Sequence, residues 1–236
     1  MDERQFAATF EALRSQEAST RPRFRIDWGD RLAVLDEDTP QTGFDRHYVY
    51  HVAWALRTLR KIDPAHHHDF SSILYFVVAA SSMTPVTFHD LRPANLQLDN
   101  LTTRRADLTA LQIETGSLDS VSCMHVVEHI GLGRYGDTLD YDGDLKAIGE
   151  LKRVIKPGGS LMFVVPVGRE SLIQFNAHRI YAYEEVIRYF QPEFDVVEHA
   201  LIPETDLVGL VPSPPAALVA GQRYACGCFW FRKRAI

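Results

Sequence analysis

Apolar positions along this chain change their period several times, and the changes divide it into elements. Over Arg46 to Lys61, the residues Val49, Val52, Ala53, Leu56 and Leu59 recur at helical spacing and predict a helix. From Asp144 onward, Leu145, Ile148, Leu151, Val154 and Ile155 recur at intervals of three and four, which places them on one face of a second helix. Asp144 stands where it caps the first free amides of that helix. Lys156 complements its negative end, Pro157 cannot continue it, and Gly158 and Gly159 supply the backbone freedom of a reversal into a strand. That strand, Ser160 to Val167, is almost wholly apolar, the pattern of a strand covered on both faces.

Weaker patterns fill in the rest. Glu3 to Arg14 predicts a first helix and Tyr183 to Phe190 a late one. Pro85 to His89 and Val121 to Met124 predict strands, the first ending on Asp90, and Arg105 to Leu108 a short strand with Asp107 at its end. Ile73 to Ala80 is apolar throughout, so its period leaves helix and strand open. Leu91 to Leu101 reads as a connector or short helix, and Arg169 to His178 as a polar loop. Phe194 to Ile202 alternates as a strand, prolines 203, 212, 214 and 215 mark a loop or lid, and Tyr224 to Phe231 is apolar on both faces, as a central last strand would be. The sum is an alternating α/β chain with a doubly wound, mostly parallel sheet and an antiparallel last strand. Residues 1–62 read as an N-terminal extension carrying a helix and covering an acceptor site, and 63–236 as the main domain.

Composition narrows the partners. The chain has 236 residues and a formal charge of −6, which argues against a nucleic-acid footprint, since phosphate binding favours a basic face. Arg232, Lys233 and Arg234 read as a solvated end of the last strand. The chain is charged from its second residue, so no secretory signal is expected, and no apolar run reaches the ~20 residues of a membrane helix. Only Cys123, Cys226 and Cys228 occur, an expectation of reducing, cytoplasmic surroundings. Cys226 and Cys228 lie two apart, on one face of a strand, and read as small core residues. No sequence feature assigns an oligomeric state.

Several clusters carry candidate chemistry. His47 and His51 are one helical turn apart, beside Tyr48, and read as packing or substrate-facing because no third metal ligand is tied to them by spacing. The run from His66 to His68 reads as a polar loop feeding a strand. His125-Val126-Val127-Glu128-His129 fits H-x-x-E-H, in which two histidines one turn apart on a helix bind zinc and the glutamate serves as general base. Its context opposes that reading, because a strand ends at Met124 and Gly131, Gly133 and Gly136 follow at once. Asp137, Asp140, Asp142 and Asp144 lack calcium-loop spacing and read as a solvated turn.

The stretches SLDSVSCMHVVEHI and LKRVIKPGGSLMFVVP, in this order and at this distance, resemble class I S-adenosylmethionine-dependent methyltransferases over roughly Pro64 to the C-terminus. The resemblance implies a Rossmann-like, seven-stranded sheet whose sixth and seventh strands are the chain's last two. It implies S-adenosylmethionine as cofactor and a small polar molecule, of the sugar or glycan-precursor kind, as methyl acceptor. Asp90 would hold the ribose hydroxyls, Asp107 and Leu108 would meet the adenine, and Cys123 to His125 would lie beside the methionine part. Candidate catalytic groups are His125, Glu128, His129 and His178; Asn176, Arg179, Tyr48 and His51 are candidates on the acceptor side. No metal is expected. One departure stands out: the first motif, His68-Asp69-Phe70-Ser71-Ser72, contains no glycine, leaving Asp69 for the acidic role and Ser71 for the close approach of cofactor. That departure keeps a second reading open, a non-catalytic module that retains the fold for interaction.

Overall fold

The computed structural model describes residues 1–18, 23–205 and 207–235. They form two compact units, Met1–Phe44 and Asp45–Ile236. In the first, helix α1 (Glu3–Ala18) offers Phe6 and Phe10 to Trp28, with ring centroids 5.8 and 4.9 Å away. The predicted helix is thus present, four residues longer than its apolar pattern indicated.

The second unit opens with α2 (Arg46–Ile62), and the Asp45 carboxylate caps it by accepting from the Tyr48 amide at 3.1 Å. Its stripe of Trp54, Ala55 and Leu59 is buried in the core of this unit. The division into compact units falls between Phe44 and Asp45, so α2, whose amphipathic face the sheet covers, belongs to the second unit.

After α2 come β1 (His67–Phe70), α3 (Leu74–Ser81), β2 (Val86–Asp90), β3 (Leu101–Arg105), β4 (Leu118–Met124), α4 (Gly143–Val154) and β5 (Ile155–Gly168). Then follow β6 (Leu172–Gln174), β7 (His178–Ala182), α5 (Tyr183–Phe190), β8 (Phe194–Ile202), β9 (Val211–Pro212), α6 (Ala216–Ala220) and β10 (Ala225–Lys233). The sheet order is β3-β2-β1-β4-β5-β10-β8, with β9 beyond β8. Strands β1 to β5 run parallel, and β10 is antiparallel to both β5 and β8. The seven expected strands and the central, reversed last strand are all present; β6, β7 and β9 are short additions.

Alternation along β5 divides the core. Leu161, Phe163, Val165 and Val167 pack with Leu151, Val154, Phe190 and Phe194 on one face, and Met162 and Val164 pack with Trp54, Leu59, Phe76 and Trp230 on the other. The continuous apolar run at 160–167 is the consequence of helices on both sides.

Local details differ from the sequence reading for identifiable reasons. Asp144 is not a cap but lies inside α4, where its carboxylate accepts from the Tyr181 hydroxyl at 2.9 Å. The Lys156-Pro157-Gly158-Gly159 segment belongs to β5 as a bulge opposite Leu118 to Ser120, with Gly158 at φ 80°. Arg169 to His178 is not a plain loop: β6 pairs antiparallel with β7 there. Asp107 follows β3 by two residues, because the strand occupies Leu101–Arg105.

Candidate functional site

Parallel strands β1, β2 and β4 bring their carboxyl ends to one edge of the sheet, and β10, running the other way, brings its first residues to the same edge. The site is built there, from two adjoining parts.

The first part is the turn after β1. Ser71 has φ 57°, the left-handed conformation that glycine tolerates best, and its amide donates to the His89 carbonyl at 2.8 Å. The position thus has a glycine's backbone without a glycine's sequence. Asp69 is completely buried: one carboxylate oxygen accepts from the Ser72 amide at 3.0 Å and the other from the Ser122 hydroxyl. Burial pushes its carboxyl up to about 6, against the pull of those hydrogen bonds. Asp90 ends β2 half-buried and accepts from the Arg92 amide at 2.7 Å through one oxygen; the other makes no hydrogen bond among the described residues. Asp107 is engaged in its own turn, accepting from the Thr109 amide at 2.9 Å and hydroxyl at 2.7 Å, while Leu108 packs in the core with Val121 and Val127.

The second part centres on His125, which follows β4 at φ 57° while its amide still bonds the Val164 carbonyl at 2.8 Å. This turn throws the ring against the first turns of α2. Centroids of His47, Tyr48 and His51 lie 5.6, 5.2 and 5.1 Å from it. His125 Nδ1 faces Glu128 Oε1 at 2.9 Å, and Nε2 faces Cys226 Sγ of β10 at 3.4 Å. Tyr224 stacks on His178 at 5.1 Å and leans on His47 at 5.0 Å. His129 donates from Nδ1 to the Ala177 carbonyl at 2.7 Å.

Burial dominates the titration of this cluster. It depresses His47 and His125 to about 4 and His51 to about 3, so all three are neutral at pH 7, and it pushes Glu128 up to about 7. Within this cluster, three buried atoms find no hydrogen-bond partner among the described residues: His51 Nε2, Glu128 Oε2 and His178 Nε2.

The fold thus gathers His125, Glu128, His129, His178, Tyr48 and His51 from the sequence reading into one neighbourhood. It brings in His47, which the sequence pairs with His51, and adds Cys226 and Tyr224. Cys226 is 101 residues from His125 in sequence, so no local spacing joins them. The H-x-x-E-H reading fails on geometry, because only a 3-10 turn, Val127–His129, occupies the motif and His125 precedes it in a left-handed conformation. Asn176 is exposed in the turn between β6 and β7. Arg179 is buried, its guanidinium donating to the carbonyls of Ile130 at 2.6 Å and Tyr141 at 2.9 Å. A polar cleft of about 320 Å³ lies beside Tyr224, its lining including Arg169, Glu170, Gln174, Glu204 and Arg223.

Comparison with known proteins bears on this layout. Among solved structures, the Haloferax volcanii putative methyltransferase in complex with its Trm112 activator superposes with a TM-score of 0.57 at 16% identity, over 81% of this chain and 91% of that one. The Burkholderia thailandensis 1,6-didemethyltoxoflavin-N1-methyltransferase, with bound 1,6-didemethyltoxoflavin and S-adenosylhomocysteine, gives 0.59 at 12% identity over 100% and 92%. The N-methyltransferase NodS from Bradyrhizobium japonicum, with S-adenosylhomocysteine, gives 0.51 at 14% over 78% and 87%. The chain has the class I methyltransferase fold. Residues 103–196 also match a family model described as Caenorhabditis protein of unknown function, DUF268. No curated protein matches the chain in sequence. Among the described residues, no helix of this methyltransferase fold is long and apolar enough to cross a membrane.

Proposed function

We propose that this chain is an enzyme that transfers a methyl group from S-adenosylmethionine to a small polar acceptor. The observation that carries the reading is the edge formed by β1, β2 and β4: a glycine-like turn at Ser71, followed one strand over by Asp90 with a carboxylate oxygen to spare. An acidic residue at the end of the second strand is the group that accepts from ribose hydroxyls in nucleotide-binding α/β folds. Two solved structures of this fold hold S-adenosylhomocysteine.

Methyl transfer from a sulfonium asks the protein chiefly to align donor and acceptor, and alignment of this kind supplies roughly 7–11 kcal/mol. A hydroxyl acceptor also benefits from a base, worth about 10²- to 10⁴-fold. Glu128, pushed up to about 7 and hydrogen-bonded to His125, populates both its proton-accepting and proton-donating forms near neutrality. The Arg and Glu lining of the cleft beside Tyr224 suits an acceptor of the sugar or glycan-precursor class.

Calorimetric titration with S-adenosylhomocysteine tests the reading. The unmodified protein is expected to bind, and Asp90→Ala to bind about 10- to 100-fold more weakly, the effect of one or two lost hydrogen bonds to a charged acceptor. Absence of binding at millimolar ligand would leave the non-catalytic interaction module as the better account.

A further inference from the structure

His47, His125 and Cys226 each present a ligand atom to a common space, with all three atoms within 4.8 Å of one another. We infer that these residues form a binding site for a zinc-class divalent cation, independent of whether the chain transfers methyl groups. Sequence spacing tied no third ligand to the histidines of α2; β4 and β10 supply two.

Four observations support the assignment. A tetrahedral zinc ion, with bonds near 2.0–2.1 Å to nitrogen and 2.3 Å to sulfur, separates two such ligands by about 3.5 Å. His125 Nε2 and Cys226 Sγ stand 3.4 Å apart. Closing the remaining distance falls to His47, half-buried in the first turn of α2 and the least confined of the three. Second, His125 turns Nδ1 to Glu128 Oε1 at 2.9 Å, so a proton on Nδ1 fixes the tautomer whose Nε2 lone pair faces the cysteine. A carboxylate behind a ligating histidine is the usual way such a ring is oriented and made more basic.

Third, His51 is completely buried, and its Nδ1 donates to the His47 carbonyl at 2.7 Å. Its Nε2 therefore carries a lone pair, has no partner among the described residues, and belongs to a ring 5.1 Å from that of His125. A buried acceptor left without a donor is unfavourable, and a polar ligand in the adjoining space would satisfy it. Fourth, the donor set is two imidazoles and a thiol, which selects a borderline-soft ion over magnesium or calcium. Three protein ligands leave one tetrahedral position open.

The test is zinc titration of chelator-treated protein, followed by cobalt substitution. The expected result is about one zinc per chain with a Kd of roughly 1 µM or tighter. The cobalt form should show a near-ultraviolet thiolate-to-metal charge-transfer band that Cys226→Ser abolishes. Glu128→Gln should weaken zinc binding about 10- to 100-fold by loosening its hold on His125. His47→Gln and Cys226→Ser should weaken it further, while His129→Gln retains it. Should Cys226→Ser not fold, His47→Gln decides alone, since its half-exposed site tolerates the change. Failure of zinc to bind, or binding untouched by His47→Gln, overturns the proposal. So does equal loss in His129→Gln, which would return the ion to the H-x-x-E-H residues.

Discussion

Arg179→Met is expected to lower the unfolding free energy by about 3–5 kcal/mol, the usual consequence of removing one partner from a buried ion pair. The Arg179 and Asp144 side chains are only 6% and 7% exposed, with Nε 3.5 Å from Oδ1. The same guanidinium ties down the loop after β4 through the carbonyls of Ile130, Asp140 and Tyr141. That loop is already tightly closed: Gly131, at φ 81°, lies so near Asp140 that a Cβ would overlap its carbonyl. Methionine fills the volume of arginine and makes none of these bonds, leaving a buried carboxylate and taking the side-chain donor from the carbonyls of Ile130 and Tyr141. The double variant Arg179→Met with Asp144→Leu removes the stranded charge and should recover most of the loss. Urea denaturation of both variants is the measurement. A loss below about 1 kcal/mol in the single variant, the range of exposed pairs, would sink the account.

The second large effect is a pH slope. Asp69 rises from its ordinary value of 3.8 to about 6 in the folded protein. The native state therefore binds a proton more readily than the unfolded chain between these values, so stability falls as pH rises through that window and levels off above it. A shift of this size amounts to about 3 kcal/mol, since one pKa unit is 1.36 kcal/mol. Asp69→Asn removes the ionisation while keeping the network. At present the Ser122 hydroxyl donates to Asp69, so His67 Nε2, 2.8 Å from Ser122 Oγ, must carry the proton, and His67 Nδ1 accepts from the Ser120 hydroxyl at 2.8 Å. An asparagine amide donates into Ser122, and the chain of bonds reverses, with Ser122 donating to His67 Nε2 and His67 Nδ1 donating to Ser120. The melting temperature of the variant relative to the parent should climb by roughly 6–12 °C between pH 4 and pH 7. A constant offset across that range would show that Asp69 does not titrate there.

What the sequence could reveal was whatever rests on local period. The amphipathic stripes of α2 and α4 and the unbroken run of β5 are imprinted by the layers that cover them. Strand β6 was illegible because Leu172, Ile173 and Gln174 are all exposed, so no buried face imposes an alternation. Helix α3 is apolar nearly all round, and only its packing over the sheet edge decides its form. At the site, the histidine pair of α2 and the residues after β4 were visible separately. What joins them is a reversed strand that delivers Cys226, and a left-handed turn that rotates His125 toward it. Neither leaves a mark at short range. Asp69 illustrates the converse, a residue of the right type at the right place whose carboxylate is spent on Ser72 and Ser122.

Strand β10 lies between β5 and β8, though both precede it in the chain. During synthesis, β5 and β8 leave the ribosome with one edge each unpaired, and no earlier segment can fill the gap. An N-terminal portion ending before Ala225 would carry two open strand edges facing each other, the kind of surface that invites pairing with another chain. Completion of the sheet must therefore wait for residues 225–233, which close both edges at once.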